Sequence, residues 1–271
     1  MKKHVSNYIL VLIFIIGLCV LLYPLVSDYW NSKTQSRAIA NYEETLSYMT
    51  KENFASFFEA AEAYNEEIRN IDYPLMNFER ANGYEELLNV MGTGLMGYIQ
   101  IERFRLELPV YHGTSSDVLN VAVGHLEGTS LPTGGESTHC VLSAHRGLPS
   151  AKLFTDLDKL NLGDTFSMVI LDRILVYEVD QILIVEPTDV NALMIEEGKD
   201  YCTLLTCTPY GINTHRMLVR GHRIETAKAQ TKVYVQADAY RIDPMVVTPV
   251  VAAPMLLILL IVLLVRHRKG T

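Results

Sequence analysis

The sequence predicts an all-β core domain preceded by a helical extension and flanked by two transmembrane helices. Three observations carry that expectation. Uncharged apolar runs occupy Tyr8 to Val26 and Met245 to Val265 of the 271-residue chain. Neither proline nor glycine occurs between Lys33 and Tyr73. From about Met96 the texture changes to short β-branched and aromatic runs separated by Gly, Pro, Asp and Asn, the pattern of a sandwich or barrel.

The first run, "YILVLIFIIGLCVLLYPLV", matches the about 20 residues a helix needs to cross a ~30 Å hydrocarbon core, so residues 1–26 read as a cytoplasmic tip and a membrane helix. A cleaved signal peptide is the competing reading. The run is long for that role, and no small-x-small pattern follows it closely. Residues 27–95 follow as a helical extension. In it "YEETLSYMTKENFASFFEAAEAYNEEIRNI" spaces its apolar residues at three and four, which predicts one or two amphipathic helices. "IDYPLMNFERANGYE" then breaks the pattern with Pro74 and Gly83, as a loop does.

Residues 96–226 hold the strand-like runs, among them "GYIQI", "LELPVYHG", "HCVLSAH", "ILVYEVDQILIVEP", "YCTLLTC" and "RMLVRGHRI". A juxtamembrane linker, 227–244, leads to the second span, 245–265, and a basic tail, 266–271. Lys2 and Lys3 precede the first span, and Arg266, Arg268 and Lys269 follow the second. Basic flanks favour the cytoplasmic side, which places both termini inside and the intervening domain outside the cell membrane. That domain carries 18 basic against 31 acidic residues, a net of −13. Such a surface repels phosphate backbones, so no nucleic-acid partner is expected.

The chemistry concentrates in "TLLTCTPYGINTHRMLVRGHR", residues 203–223. Cys207 ends a strand-like run and is followed at once by a Pro/Gly turn. The next run brings Arg216 back beside it. A cysteine nucleophile needs a thiolate, an acid for the leaving group and a donor for the oxyanion. Arginine supplies fixed N–H donors and cannot act as a base. The histidine has to come from His112, His125, His139, His145, His215 or His222. His145 is the best placed, because "HCVLSAHRGLP" also ends an apolar strand in a reactive side chain before a Gly/Pro turn. External cysteines are more often structural and arginines after strands more often solvated, so it is the combination that counts. No ligand cluster for a metal is seen and no cofactor is expected. His139 and Cys140 are neighbours and point to opposite sides of a strand.

"TLLTC" with Arg216 nine residues on, and "SAHRGLP" upstream, resemble the sortases of Gram-positive bacteria. "GHLEGTSLPTGG" and "LFTDLDKL" are similar to the class C, pilus-assembling branch, and the likeness runs over about residues 96–225. The resemblance implies an eight-stranded sortase-type β-barrel with a catalytic His145, Cys207 and Arg216. It implies transpeptidation on pilin subunits: cleavage of an LPxTG-like sorting signal between Thr and Gly, then transfer to an acceptor lysine of the next pilin. Class C enzymes usually carry a lid with an Asp-Pro-aromatic motif, whereas this chain reads Asp72-Tyr73-Pro74. On that likeness Asp72 would pair with Arg216 and Tyr73 would cover Cys207, with Thr206 a further substrate-side candidate. In the sortase fold the strands ending in His145 and Cys207 run parallel. Cys140 and Cys202, each five residues before its catalytic partner, would then lie side by side and form a disulfide, leaving Cys207 free.

Other readings are weaker. A papain-like protease places its histidine after the cysteine, the reverse of the order here. A housekeeping or class B sortase lacks the second span and the helical approach. A non-enzymatic, membrane-tethered binding domain would leave the three catalytic-type residues unexplained.

Overall fold

The computed structural model describes residues 2–81, 83–225, 252–262 and 265. Two compact units are distinguished: one begins at residue 31 and contains the barrel, the other holds residues 2–30 and the apolar helix Ala252–Val262.

Helix α1 (Lys2–Ser47) carries the first apolar run and is long and apolar enough to cross a membrane. It tolerates Pro24 in its interior. Thr50 stops the helical run and starts a new one: its side chain accepts the Asn53 N–H while Asn53 returns the bond to the Thr50 backbone. The extension is therefore two helices, α1 and α2 (Lys51–Arg69). Phe58, Ala61, Tyr64 and Ile68 recur at helical spacing on α2 and form its buried face. The end of α1 joins the core through Tyr42. Its buried hydroxyl donates to Met96 O (2.8 Å) and accepts the Leu171 N–H (2.9 Å). A one-turn helix, α3 (Pro74–Asn77), interrupts the loop that follows α2.

The eight strands are β1 (Leu95–Ile101), β2 (Leu106–His112), β3 (Val123–His125), β4 (Thr138–Ser143), β5 (Thr165–Ile170), β6 (Arg173–Val185), β7 (Asp200–Thr208) and β8 (His215–Ile224). They close into a barrel in the order β1-β2-β3-β4-β7-β8-β6-β5, so the sheet has no free edge. The β2–β3 and β4–β7 pairs are parallel and the remainder antiparallel. Ile99, Leu108, Leu142, Leu204 and Val219 fill the interior. Phe166 and Tyr177 stack at 5.6 Å over Gly221, where a Cβ would sit 2.8 Å from both side chains.

The eight-stranded core and the helical extension match expectation, with the first strand starting one residue earlier than the boundary at 96. The linker 227–244, the tail 266–271 and most of the flanks of the second span lie outside the described residues. The described part of that span, Ala252–Val262, is helical and apolar.

Removing the Tyr42 hydroxyl leaves a buried N–H and a buried carbonyl without their partner. Tyr42→Phe should cost about 1–3 kcal/mol in chemical denaturation. Tyr98→Phe should cost less, because its hydroxyl bonds the part-exposed Glu43. Equal costs would show that the Tyr42 bridge does not hold α1 to the barrel.

Candidate active site

Parallel pairing of β4 with β7 sets the site. The register runs from Thr138↔Asp200 through Cys140↔Cys202 to Ser143↔Leu205. The next residue still follows it, with the Ala144 N–H on Leu205 O at 3.2 Å. Carried one residue further, the same register sets His145 beside Cys207. On the other side of β7, Cys207 is the antiparallel partner of Arg216. The chain just past β4, with strands β7 and β8, thus presents His145, Cys207 and Arg216 in a row, all half-buried.

Side chains alternate along a strand, so the row has a definite face. Thr203, Leu205 and Cys207 of β7 share it with Val141 and Ser143 of β4 and with Arg216 and Leu218 of β8. The opposite face, with Cys140, Leu142, Cys202, Leu204, Met217 and Val219, belongs to the barrel core. The outward face continues from the row into a separate apolar cluster. Val141, Leu193 and Leu218 are buried there, with Leu75, Leu126, Leu183, Val185 and Leu205 packed against them.

Burial holds the His145 imidazole below the ordinary histidine value, which favours the neutral ring. Arg216 donates to two carbonyls near its own strand end, Asn213 O (3.3 Å) and His215 O (3.1 Å). Among the described residues no carboxylate lies within ion-pair distance of its guanidinium. Those bonds leave several of its five N–H groups for a ligand. A thiol, an imidazole and an uncommitted guanidinium on one exposed face can form an acyl-thioester, stabilise its oxyanion and move a proton to a leaving group.

The other histidines have different work. His125 is buried, accepts from Tyr84 Oη at Nδ1 (2.8 Å) and meets Ser130 O at Nε2. His139 bridges Met194 O (3.0 Å) and Thr203 Oγ1 (2.7 Å), and so fastens the segment between β6 and β7. His112 lies between Gly94 O and Leu87 O. His215 pairs with Glu186 at 3.2 Å, and His222 stands 3.9 Å from Asp180.

Three expectations are corrected. Thr206 does not face substrate: it is buried on the core side of β7, one residue out of phase with Cys207, and its hydroxyl donates to Ala144 O (2.8 Å). Asp72 forms no ion pair with Arg216, and Tyr73 is exposed at positive φ rather than laid on Cys207. The segment does touch the barrel, but through its neighbours. Pro74 is buried against Gly128, where a Cβ would meet the Pro74 carbonyl oxygen at 2.5 Å, and Leu75 joins the outward apolar cluster. Cys140 and Cys202 are paired in register and both face the core, but they remain free thiols. Burial pushes the Cys202 thiol well up, so it stays protonated and donates to Met168 Sδ at 3.5 Å.

Sequence reasoning passed over Tyr210, which follows Cys207 by three residues and packs on the loop after His145. The signal was Gly147 just after the histidine, a position that leaves room for a ring.

A family model for the sortase domain matches residues 99–224. Sortase D of Bacillus subtilis is 28% identical over 131 residues, 47% of this chain and 63% of that protein, so the match spans less than two thirds of that relative. Sortase A of Bacillus anthracis is 25% identical over 226 residues, 83% of this chain and 97% of that protein. Among solved structures, sortase C1 of Streptococcus agalactiae is 46% identical with a TM-score of 0.64, covering 70% of this chain and 98% of its own. A sortase C of Streptococcus pneumoniae, described for its pilin substrate specificity, is 44% identical with a TM-score of 0.62, covering 70% and 97%.

Two outcomes follow. Because Asp72 holds nothing over the site, Asp72→Ala should leave the rate of Cys207 alkylation unchanged. A several-fold acceleration would show that the carboxylate restrains the segment after all. His139 and His145 both lie below 6.5 when folded, so the unfolded chain takes up protons first as pH falls. Stability should therefore decline from pH 7.5 toward pH 6, read as the denaturant midpoint. A midpoint that rose on acidification would contradict it.

Proposed function

The chain belongs to the sortase family, in its class C branch, and on that premise we propose that it is a membrane-anchored cysteine transpeptidase that polymerises pilin subunits. Its substrate is a pilin bearing an LPxTG-like sorting signal. The Cys207 thiolate attacks the carbonyl between Thr and Gly, and the electron pair of the broken amide leaves on the glycine nitrogen. His145, neutral at rest, takes the thiol proton as the Cys207 thiolate forms and passes it to that nitrogen. Arg216 places N–H donors where the carbonyl oxygen becomes negative, an interaction worth most in the transition state. A neutral lysine amine of a second pilin then attacks the thioester, and the Cys207 thiolate leaves. His145 takes the proton the amine loses and returns it to the thiolate, and the new isopeptide bond restores the enzyme.

One observation carries this reading: the β4–β7–β8 register that lines up His145, Cys207 and Arg216 beside the outward apolar cluster. That cluster is suited to the leucine and proline of the signal, since it offers Val141, Leu183, Leu205 and Leu218 next to the nucleophile. The apolar α1 supports a membrane anchor. We extend it to a second crossing over residues 245–265, with both termini cytoplasmic and the barrel outside. The 44% identity to a sortase studied for pilin specificity supports subunits over other surface proteins as substrates.

Full-length protein in membranes, mixed with candidate pilin subunits, should produce covalent ladders on denaturing gels. Cys207→Ala should abolish them, and Arg216→Ala should slow them by about 10²–10³-fold, the cost of an oxyanion donor. Ladders that survive Cys207→Ala would leave a binding domain. Single additions to cell-wall peptide without polymerisation would point to a housekeeping-type sortase.

A further inference from the structure

Among the described residues no backbone hydrogen bond joins the β4 and β7 segments beyond Ala144–Leu205, yet His145 and Cys207 lie just past it. Thr206 strengthens that last bond through its hydroxyl on Ala144 O. After it, His145 leads into the loop 146–151 and Cys207 into the turn 209–214. A second tie lies on the far side of the pair. The turn is closed by the Ile212 and Asn213 N–H groups on Pro209 O, at 3.1 and 3.0 Å. It sets Tyr210 against the histidine loop, with ring atoms 3.0 Å from where a Cβ on Gly147 would stand. Gly147 has φ +79°, so two requirements favour glycine there.

The histidine loop is itself pinned on its other flank. Gly147 N–H donates to Thr155 Oγ1 (3.2 Å), Phe154 N–H to His145 O (3.1 Å), and Arg146 pairs with Asp158 at 2.6 Å. The Arg146 side chain is only 10% exposed, and its guanidinium carbon stands 6.0 Å from the Tyr210 ring centre. Its Nε is buried without a hydrogen-bond partner among the described residues. An aromatic face beside that cation offsets part of the missing bond.

We propose that Tyr210 is a positioning residue: its ring, laid on Gly147 beside Arg146, holds the His145 loop at the spacing from Cys207 that proton transfer requires. The pair of catalytic residues thus occupies a window bounded by Thr206–Ala144 on one side and Tyr210–Gly147 on the other. Tyr210 touches neither reacting group in this scheme, and its hydroxyl, on a half-exposed ring and bonded to none of the described residues, is dispensable. The inference rests on the Cys–His chemistry proposed above.

The test uses the full-length protein, a fluorogenic peptide carrying Leu-Pro-Xaa-Thr-Gly and a lysine-like amine. Tyr210→Ala should lower kcat by about 10- to 100-fold, the scale of a small misplacement of catalytic groups, with KM within about twofold. It should also displace the pH dependence of Cys207 alkylation by iodoacetamide. Tyr210→Phe should restore both. A rise in KM with kcat intact would make Tyr210 a substrate contact and overturn the proposal, as would a Phe variant as impaired as Ala. If the wild type shows no Cys207-dependent turnover, the transpeptidase reading fails instead. The alkylation profiles of the three proteins still decide the role of Tyr210: an unmoved profile in Tyr210→Ala overturns it.

Discussion

The structure depends on one constraint, the parallel register of β4 against β7. It is made by six successive pairs, from Thr138↔Asp200 to Ser143↔Leu205, and it determines the phase of everything beyond. Side chains alternate with a period of two, so a slip of one residue would turn His145 toward the core while Cys207 faced out. The core residues of both strands oppose such a slip. Cys140, Leu142, Cys202 and Leu204 are buried together, and shifting one strand would expose two of them and bury Ser143. Alignment of His145 with Cys207 is thus a by-product of barrel packing.

Closure of the barrel makes this constraint rigid. β7 is held by β4 on one flank and by an eight-residue antiparallel ladder with β8 on the other. β8 in turn pairs with β6 along most of its length. The outward face of these strands is then free to differ in chemistry from the inward one. It carries a polar row at the strand ends and an apolar cluster below it, to which the segment after α2 contributes Leu75 and the segment after β6 contributes Leu193. His139 secures the latter segment from within the sheet, through Met194 O, and Arg220 secures it from β8, through Glu196. An apolar surface contributed partly by irregular segments is in this way fastened to the barrel wall.

Much of this was legible in the residues, and the exceptions have physical reasons. The change from helical to alternating periodicity near residue 96 located the barrel, because burial on one face imposes the period. The neighbouring positions of Cys207, His145 and Arg216 were readable because each sits at or just past a strand end beside a turn. Thr206 was misjudged although parity alone places it opposite Cys207; its neighbour's importance outweighed the pleat. The depth of Cys140 and Cys202 followed from equal spacing to His145 and Cys207, but adjacency of thiols does not decide whether they bond, and here Cys202 keeps its proton and donates it in a hydrogen bond to Met168 Sδ. Asp72 and Tyr73 could not be placed, because a loop obeys no period and its path is settled by Pro74 and Leu75 finding the barrel. The contact of Tyr210 with Gly147 joins two loops 63 residues apart in the chain, and nothing local encodes it.

Arg216 and Arg220 show how the same strand treats two identical side chains differently. They are four residues apart on β8 and share its outward face. Arg220 is claimed by Asp180 at 3.0 and 3.1 Å, by Glu196 at 3.2 Å, and by the Tyr201 ring at 4.0 Å. Its charge is neutralised and its geometry is structural. Among the described residues Arg216 meets only carbonyl oxygens, in a domain with 31 carboxylates against 18 basic side chains. Keeping acids out of its reach in so acidic a chain preserves an unspent positive charge beside Cys207. A carboxylate partner would have to be displaced before the guanidinium met a developing oxyanion, whereas carbonyl partners orient it and leave its charge whole. That difference separates an arginine that holds a fold from one whose charge stays free for a ligand, the property the proposed oxyanion role needs.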